Sequence, residues 1–293
     1  MEKTCVMIGY RSDHALGVLQ DRLQERSQVR VAFLDLDLFP RGQPFHLVSG
    51  AICEGAFYPP GEKSVPFGDV VSLCLPGLAV SPEAGVGFGP EDAEYISVEC
   101  WASLIAIASV LSQHALVANF VEQRDHLLSR FSRLAFMSRW GVPVPRQLAC
   151  TCPESALEFR ADVARPLVFQ APAGSEPPCA LLDQHLERLD CIRHAPVQFE
   201  PGCDEDSRAW LAVVGERAFS CPVGAPGPDS RVQNACVQAA SALGIRLGEV
   251  RFRRTLDGDW VAHDLHPFLT SGVLAVPAVR EAALSMLEGG LAA

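Results

Sequence analysis

The first 36 residues constrain the fold more than any other part of the chain. Cys5-Val-Met-Ile8 is a short apolar run, and Val29 to Leu36 is a second one, ended by Phe39-Pro40. Between them Leu16, Leu19 and Leu23 recur at helical spacing. Ser12 or Asp13 stands where an N-cap belongs. Strand, helix and strand over so short a stretch predict a parallel βαβ crossover, which is right-handed when it forms. The first turn, Gly9-Tyr-Arg-Ser-Asp13, lacks G-x-G-x-x-G, so the dinucleotide fingerprint is absent.

The rest of the chain continues in the same alternating style. Residues 40 to 90, rich in Gly and Pro and carrying Val70-Val-Ser-Leu-Cys-Leu75, read as strands and loops that complete a first domain. Glu91 to His114 is a long helix with Tyr95, Val98, Trp101, Ile105, Ala108 and Leu111 on one stripe, which assigns that stripe to the core. Glu91, Asp92 and Glu94 suit its N-terminal dipole. A second helix over Leu127 to Trp140 stops at Gly141-Val-Pro-Val-Pro145. Further on come a helix over Pro153 to Arg160, a strand over Pro166 to Gln170, a loop over Ala171 to Pro178 and a helical Gln184 to Leu189. Two hairpins are predicted, one turning at Gly215 between Ala209–Val214 and Ala218–Cys221. The other turns at Asp257-Gly258, between Val250–Phe252 and Trp260–Leu265. A helix over Gln233 to Leu243 separates them, and a last helix spans about Val276 to Leu287. There is no internal repeat.

Composition narrows the function. Of 293 residues, 48% are hydrophobic and 20% charged, enough for a real core. The formal net charge of -11 argues against a nucleic-acid partner, whose phosphates need clustered Lys and Arg. No stretch approaches the roughly 20 apolar residues of a membrane helix, and the N-terminus does not read as a signal peptide. The 11 cysteines show no C-x-x-C pair, so reduced, mostly buried thiols in a cytoplasmic protein are expected. The loop Ala171 to Pro178 holds one Gly and is a poor phosphate cradle, and no Ser-His-Asp or Cys-His arrangement stands out.

Four segments in order carry a resemblance: Leu127 to Pro145; Pro166-Leu-Val-Phe-Gln-Ala-Pro-Ala-Gly174; Val197 to Gly215, with Gln198, Glu200, Asp206 and Arg208; and Leu243 to Phe252 continued by Asp257 to Pro267. Together they resemble the ATP-grasp superfamily, most nearly its carboxylate–amine ligases that modify peptides, including macrocyclising ligases of the microviridin type. The resemblance implies an α/β (α+β) fold. A βαβ pre-ATP-grasp domain over 1–120 would precede an ATP-grasp domain over 121–293, whose α+β subdomains, about 121–196 and 197–293, clasp a cleft. It also implies ATP and Mg2+ as cofactors. A small-molecule or peptide substrate follows, its carboxylate activated as an acyl phosphate and coupled to an amine. A homodimer is one expected assembly.

Carried over residue by residue, the resemblance places Arg130, Gln170, Gln198, Glu200 and Arg208 at the nucleotide, with Arg208 also catalytic. It places Asp264, His266 and Glu249 at the metal. The chain departs from the family's pattern at most of these positions. Arg130, behind Ser129, replaces a lysine and stays cationic. Gln170 replaces a lysine and loses its charge. Asp264-Leu-His266 replaces Glu-x-Asn, and His favours softer ions than magnesium. Arg251 falls where a metal-binding acid is expected. A unit charge about 4 Å from another is worth about 4 kcal/mol at an effective dielectric near 20, so this inversion weighs most. Glu249 is near enough to be a substitute acid. Asp264 and His266 share one face of a strand and form either a metal or substrate pair, or two hydrogen-bonded polar residues at a strand end. His263 is placed on the opposite face in a structural role. Two functions follow: an ATP-grasp ligase-like enzyme, or a catalytically inactive relative that binds a peptide, a partner or a nucleotide without turnover.

Overall fold

The computed structural model describes residues 3–26, 29–48, 54–75, 87–119, 129–163, 165–171, 178–222, 224 and 226–289. They fall into two compact units. One takes residues 1–120, 244–247 and 267–293, and the other takes 121–243 and 248–266.

The first unit is built on the opening crossover. β1 (Thr4–Gly9) is buried along its whole length, because helices cover both faces of a parallel sheet. α1 (His14–Arg26) follows, and the Asp13 Oδ1 accepts from the amides of Ala15 at 2.9 Å and Leu16 at 3.2 Å, as the N-cap expectation required. Leu16, Leu19 and Leu23 are fully buried. β2 (Arg30–Asp35) lies parallel to β1. β3 (Phe45–Val48), β4 (Glu54–Phe57) and β5 (Val65–Pro66) form a small antiparallel sheet, and β6 (Val70–Cys74) follows. Gly55 is obligatory there, since a Cβ would stand 2.4 Å from the Phe67 ring. After α2 (Pro90–Leu111), β7 (Leu116–Ala118) completes a parallel sheet in the order β2-β1-β6-β7.

α2 corrects two expectations. Its 22 residues, with a window of mean hydropathy 1.4, are long and apolar enough to cross a membrane by length and composition. In this fold one face of α2 packs in the core. That face is Cys100, Leu104, Ile107, Ala108 and Leu111, and the expected stripe is turned outward at Tyr95 (66% exposed), Val98 (57%) and Ile105 (37%). A helix apolar on several sides offers more than one stripe at 3.6 spacing, and sheet packing selects among them.

The second unit contains two four-stranded sheets, one antiparallel and the other holding two antiparallel strand pairs. α3 (Arg130–Arg139) starts at Ser129, whose Oγ accepts from the Ser132 amide at 3.1 Å; Leu127 and Leu128 of the expected helix lie outside the described residues. β8 (Leu148–Cys150), α4 (Pro153–Val163), β9 (Leu167–Gln170), β10 (Cys179–Ala180), α5 (Asp183–Leu186) and β11 (Val197–Pro201) form the first sheet, ordered β10-β9-β11-β8. Residues 172–177 of the expected loop are outside the described residues. β12 (Cys203–Val214), β13 (Arg217–Cys221), α6 (Ser230–Ala242), β14 (Leu247–Thr255) and β15 (Trp260–His266) form the second, ordered β13-β12-β14-β15. Both predicted hairpins are present, and Gly215 (φ 58°) and Gly258 (φ 94°) take the left-handed turn positions.

The chain then returns to the first unit through α7 (Ser271–Leu274) and α8 (Pro277–Gly289). The Ser72 hydroxyl on β6 donates to the Leu287 carbonyl at 2.6 Å, and Arg26 of α1 pairs with Glu288 at 2.9 Å and with Glu281. Asn119 sits at φ 63° and holds this return. Its amide donates to the carbonyls of Leu247 and Pro267, and its Oδ1 accepts from the amides of Arg246 and Leu247, all at 2.8–2.9 Å.

Candidate functional site

The first sheet of the second unit has one apolar and one polar face. Alternation along β11 sends Val197 and Phe199 into a cluster with Ala156, Phe159, Leu167, Leu189 and Ile192. The intervening Gln198 and Glu200 therefore turn to the other side. Gln198 lies directly across from Gln170 on β9. Both are deeply buried, Gln170 at 8% exposure and Gln198 at 0%. The Gln170 Nε2 and both side-chain polar atoms of Gln198 have no hydrogen-bond partner among the described residues. A buried polar group left unpaired costs about 1–3 kcal/mol.

Glu200 is held by α3. The Arg130 guanidinium forms a two-pronged pair with it, Nη1 to Oε2 at 2.8 Å and Nη2 to Oε1 at 2.9 Å, with both side chains buried. The Arg130 Nε donates to the His263 carbonyl at 2.5 Å, and the Gln147 amide adds a bond to Glu200 at 3.2 Å. Arg130 thus binds a carboxylate within the protein.

His263 departs from the expected orientation. Across β14 and β15 the register runs Arg251 to Asp264 and then Phe252 to Ala262, so His263 is the extra residue of a β-bulge. A bulge breaks strict alternation, and the His263 Nε2 comes to 3.7 Å from the Glu200 Oε1. Burial chiefly, then the cationic Arg130, Arg253, Arg251 and Arg208, push the imidazole down to about 2. The ring is neutral, and its contact with Glu200 is not an ion pair.

The residues expected at a metal are neighbours, but their carboxylates are already engaged. Glu249 faces His266 across the strands, and Arg251 faces Asp264. Glu249 is 0% exposed and accepts from the Arg251 Nε at 2.8 Å. The Asp264 Oδ1 accepts from the Arg133 Nε at 3.1 Å, the Arg133 Nη2 at 2.8 Å and the Leu265 amide at 2.8 Å. No group of three or more His, Cys, Asp or Glu poised for a metal occurs among the described residues. Magnesium demands a near-octahedral set of oxygen donors. A donor set whose two carboxylates carry guanidinium groups does not fit it.

Arg208, exposed on β12, and Arg253 on β14 complete the cationic surroundings. Arg253 is partly buried, and burial, Arg208 and Arg130 lower its pKa despite Cys203 and Glu200. The sequence did not single out Arg133, Gln147 or Arg253, and it assigned His263 only a structural role. Arg133 was readable as the i+3 neighbour of Arg130 on α3, and Arg253 as the same-face neighbour of Arg251. Gln147 and the bulge left no local signal.

A parallel α/β unit, together with a unit of two four-stranded sheets and a polar site formed where β11, β14, β15 and α3 meet, defines the ATP-grasp fold. The structure is similar over 97% of its length to the macrocyclase MdnC of Microcystis aeruginosa MRC, solved bound with precursor peptide MdnA. That match covers 99% of the other chain at a TM-score of 0.81 and 16% identity. It is similar to the ATP-grasp ligase PsnB complexed with minimal precursor, with 97% and 96% coverage, a TM-score of 0.77 and 19% identity. It is similar also to a RimK domain ATP-grasp protein of Sphaerobacter thermophilus DSM 20745, with 99% coverage of both chains, a TM-score of 0.60 and 16% identity. No family model matches the sequence, and no curated protein matches it.

Proposed function

We propose that the protein is an ATP-grasp ligase-like enzyme acting on a peptide. ATP binds among the residues of 121–293, a carboxylate is activated and an amine or other nucleophile is coupled to it. In this chemistry the carboxylate oxygen takes the γ-phosphoryl group and ADP leaves. The nucleophile then displaces phosphate. The observation that carries the reading is the buried, unpaired Gln170–Gln198 amide pair beside the Arg130–Glu200 clamp. These amides offer donors and acceptors to a nucleobase edge, while Arg208 and Arg253 supply positive charge for phosphates. The solved relatives support the same direction, since MdnC is bound to its precursor peptide and PsnB is complexed with minimal precursor, Mg and ADP.

A second reading, binding without turnover, is favoured by the Glu249–Arg251 pair, which occupies the acid closest to the expected metal position. The two separate experimentally. Calorimetry with ATP is expected to show binding that weakens at least tenfold in the Gln170→Ala/Gln198→Ala double variant. Absence of binding by ATP and ADP rejects both nucleotide readings. ADP release stimulated by a carboxylate-rich peptide selects the ligase, and binding with no ADP release selects the inactive module.

A further inference from the structure

We propose that Arg251 and Arg253 form a metal-independent oxyanion site, in which guanidinium groups neutralise the nucleotide's phosphate chain where a divalent cation would otherwise act. The inference rests on the nucleotide reading above and specifies how its charge is met.

The geometry begins with β14. Val250 and Phe252 are buried on one face of the strand, so Glu249, Arg251 and Arg253 alternate onto the other. Glu249 is fully buried and holds the Arg251 guanidinium through a single nitrogen, Nε. The Nη1 and Nη2 fork of Arg251 makes no bond among the described residues, and its side chain is 39% exposed. The fork is therefore oriented from behind by a carboxylate and presented in front. Arg253, two residues on, is partly buried and has no hydrogen bond or ion pair among the described residues.

Charge balance points the same way. Around the neutral His263 ring lie the guanidiniums of Arg130, Arg208, Arg251 and Arg253, and Arg133 stands beside them on α3. Glu200 meets Arg130, Asp264 meets Arg133 and Glu249 meets Arg251. The pairings of Arg133 and Arg251 consume the two carboxylates expected at a metal, and Arg253 is left without a counter-charge among the described residues. A bound oxyanion supplies it, and a planar guanidinium engages phosphate oxygens through two parallel hydrogen bonds. The unpaired Gln170 and Gln198 amides next to Glu200 are an independent sign that the pocket awaits a ligand.

The test is calorimetric titration of the full chain with ATP, in EDTA and in excess MgCl2. The expected result is binding in EDTA at least as tight as in magnesium, with a strong dependence on salt. Arg253→Ala and Arg251→Ala should each weaken it tenfold or more. Arg253→Lys, which keeps a charge without the fork, should fall between, and guards against a folding defect in the alanine variant. Arg251→Asp should turn binding magnesium-dependent, because it sets a second carboxylate beside Glu249. ATP binding only in magnesium overturns the inference and leaves the nucleotide reading standing. Absence of ATP binding in both conditions, with tripolyphosphate bound in EDTA and lost in Arg253→Ala, upholds the oxyanion site and rejects the nucleotide reading. Absence of binding by either probe rejects both.

Discussion

Replacing Arg130 by methionine tests the clamp on which the site is built. The substitution keeps the volume of the side chain but removes two charged hydrogen bonds from Glu200 and one from the His263 carbonyl. Glu200, 3% exposed, would retain only the Gln147 amide at 3.2 Å and a neutral imidazole at 3.7 Å. Breaking a buried ion pair from one side costs about 3–5 kcal/mol, because the remaining charge stays desolvated. At about 2–4 °C per kcal/mol for a domain of this size, Tm should fall by about 6–20 °C. The double variant Arg130→Met/Glu200→Leu leaves no stranded charge and should lie within about 2 kcal/mol of the native protein. Urea unfolding followed by tryptophan fluorescence gives all four corners of the cycle, since Trp140, Trp210 and Trp260 report on the second unit. Single variants that each cost under about 1 kcal/mol, or a double variant that costs their sum, would refute the view that the pair is buried and mutually dependent.

Two further perturbations address other parts of the fold. Because His263 is held neutral down to about 2, the unfolded chain takes up a proton below about 6.5 that the folded chain refuses. Stability should therefore fall as pH drops from about 6.5, by up to about 1.4 kcal/mol per unit, and His263→Gln should remove that share of the slope; identical slopes between pH 7 and 5 would show that the ring is not protected. Asn119→Ala discards four hydrogen bonds and puts a Cβ-bearing residue without a local bond at φ 63°, for a loss of about 2–5 kcal/mol. Asn119→Gly relieves only the backbone part, so its thermal denaturation should show a smaller loss, and equal losses would place the whole effect in the bonds.

Local patterns settled much of this protein before any contact was known. Apolar spacing set β1, α1 and β2; Asp13 marked the start of α1; and Gly215 and the Asp257-Gly258 pair marked the two hairpins, because turns and caps depend on φ and on a few neighbouring atoms. Alternation likewise assigned Asp264 and His266 to one face of a strand. Periodicity states which residues share a face and is silent on what that face meets. The stripe of α2 that enters the core was decided by the parallel sheet, and the docking of α8 by Ser72 and Arg26 far back in the chain. The same holds in the site. Arg133 and Asp264 are 131 residues apart in sequence, and Arg130 and Glu200 are 70 apart. One extra residue in β15 brought His263 toward Glu200. Residue identity determined that this region would be rich in arginine and poor in lysine. Only the tertiary structure decided that two of those arginines, Arg133 and Arg251, would bind the carboxylates expected at a metal, because a charge buried by packing must take the partner that packing brings to it.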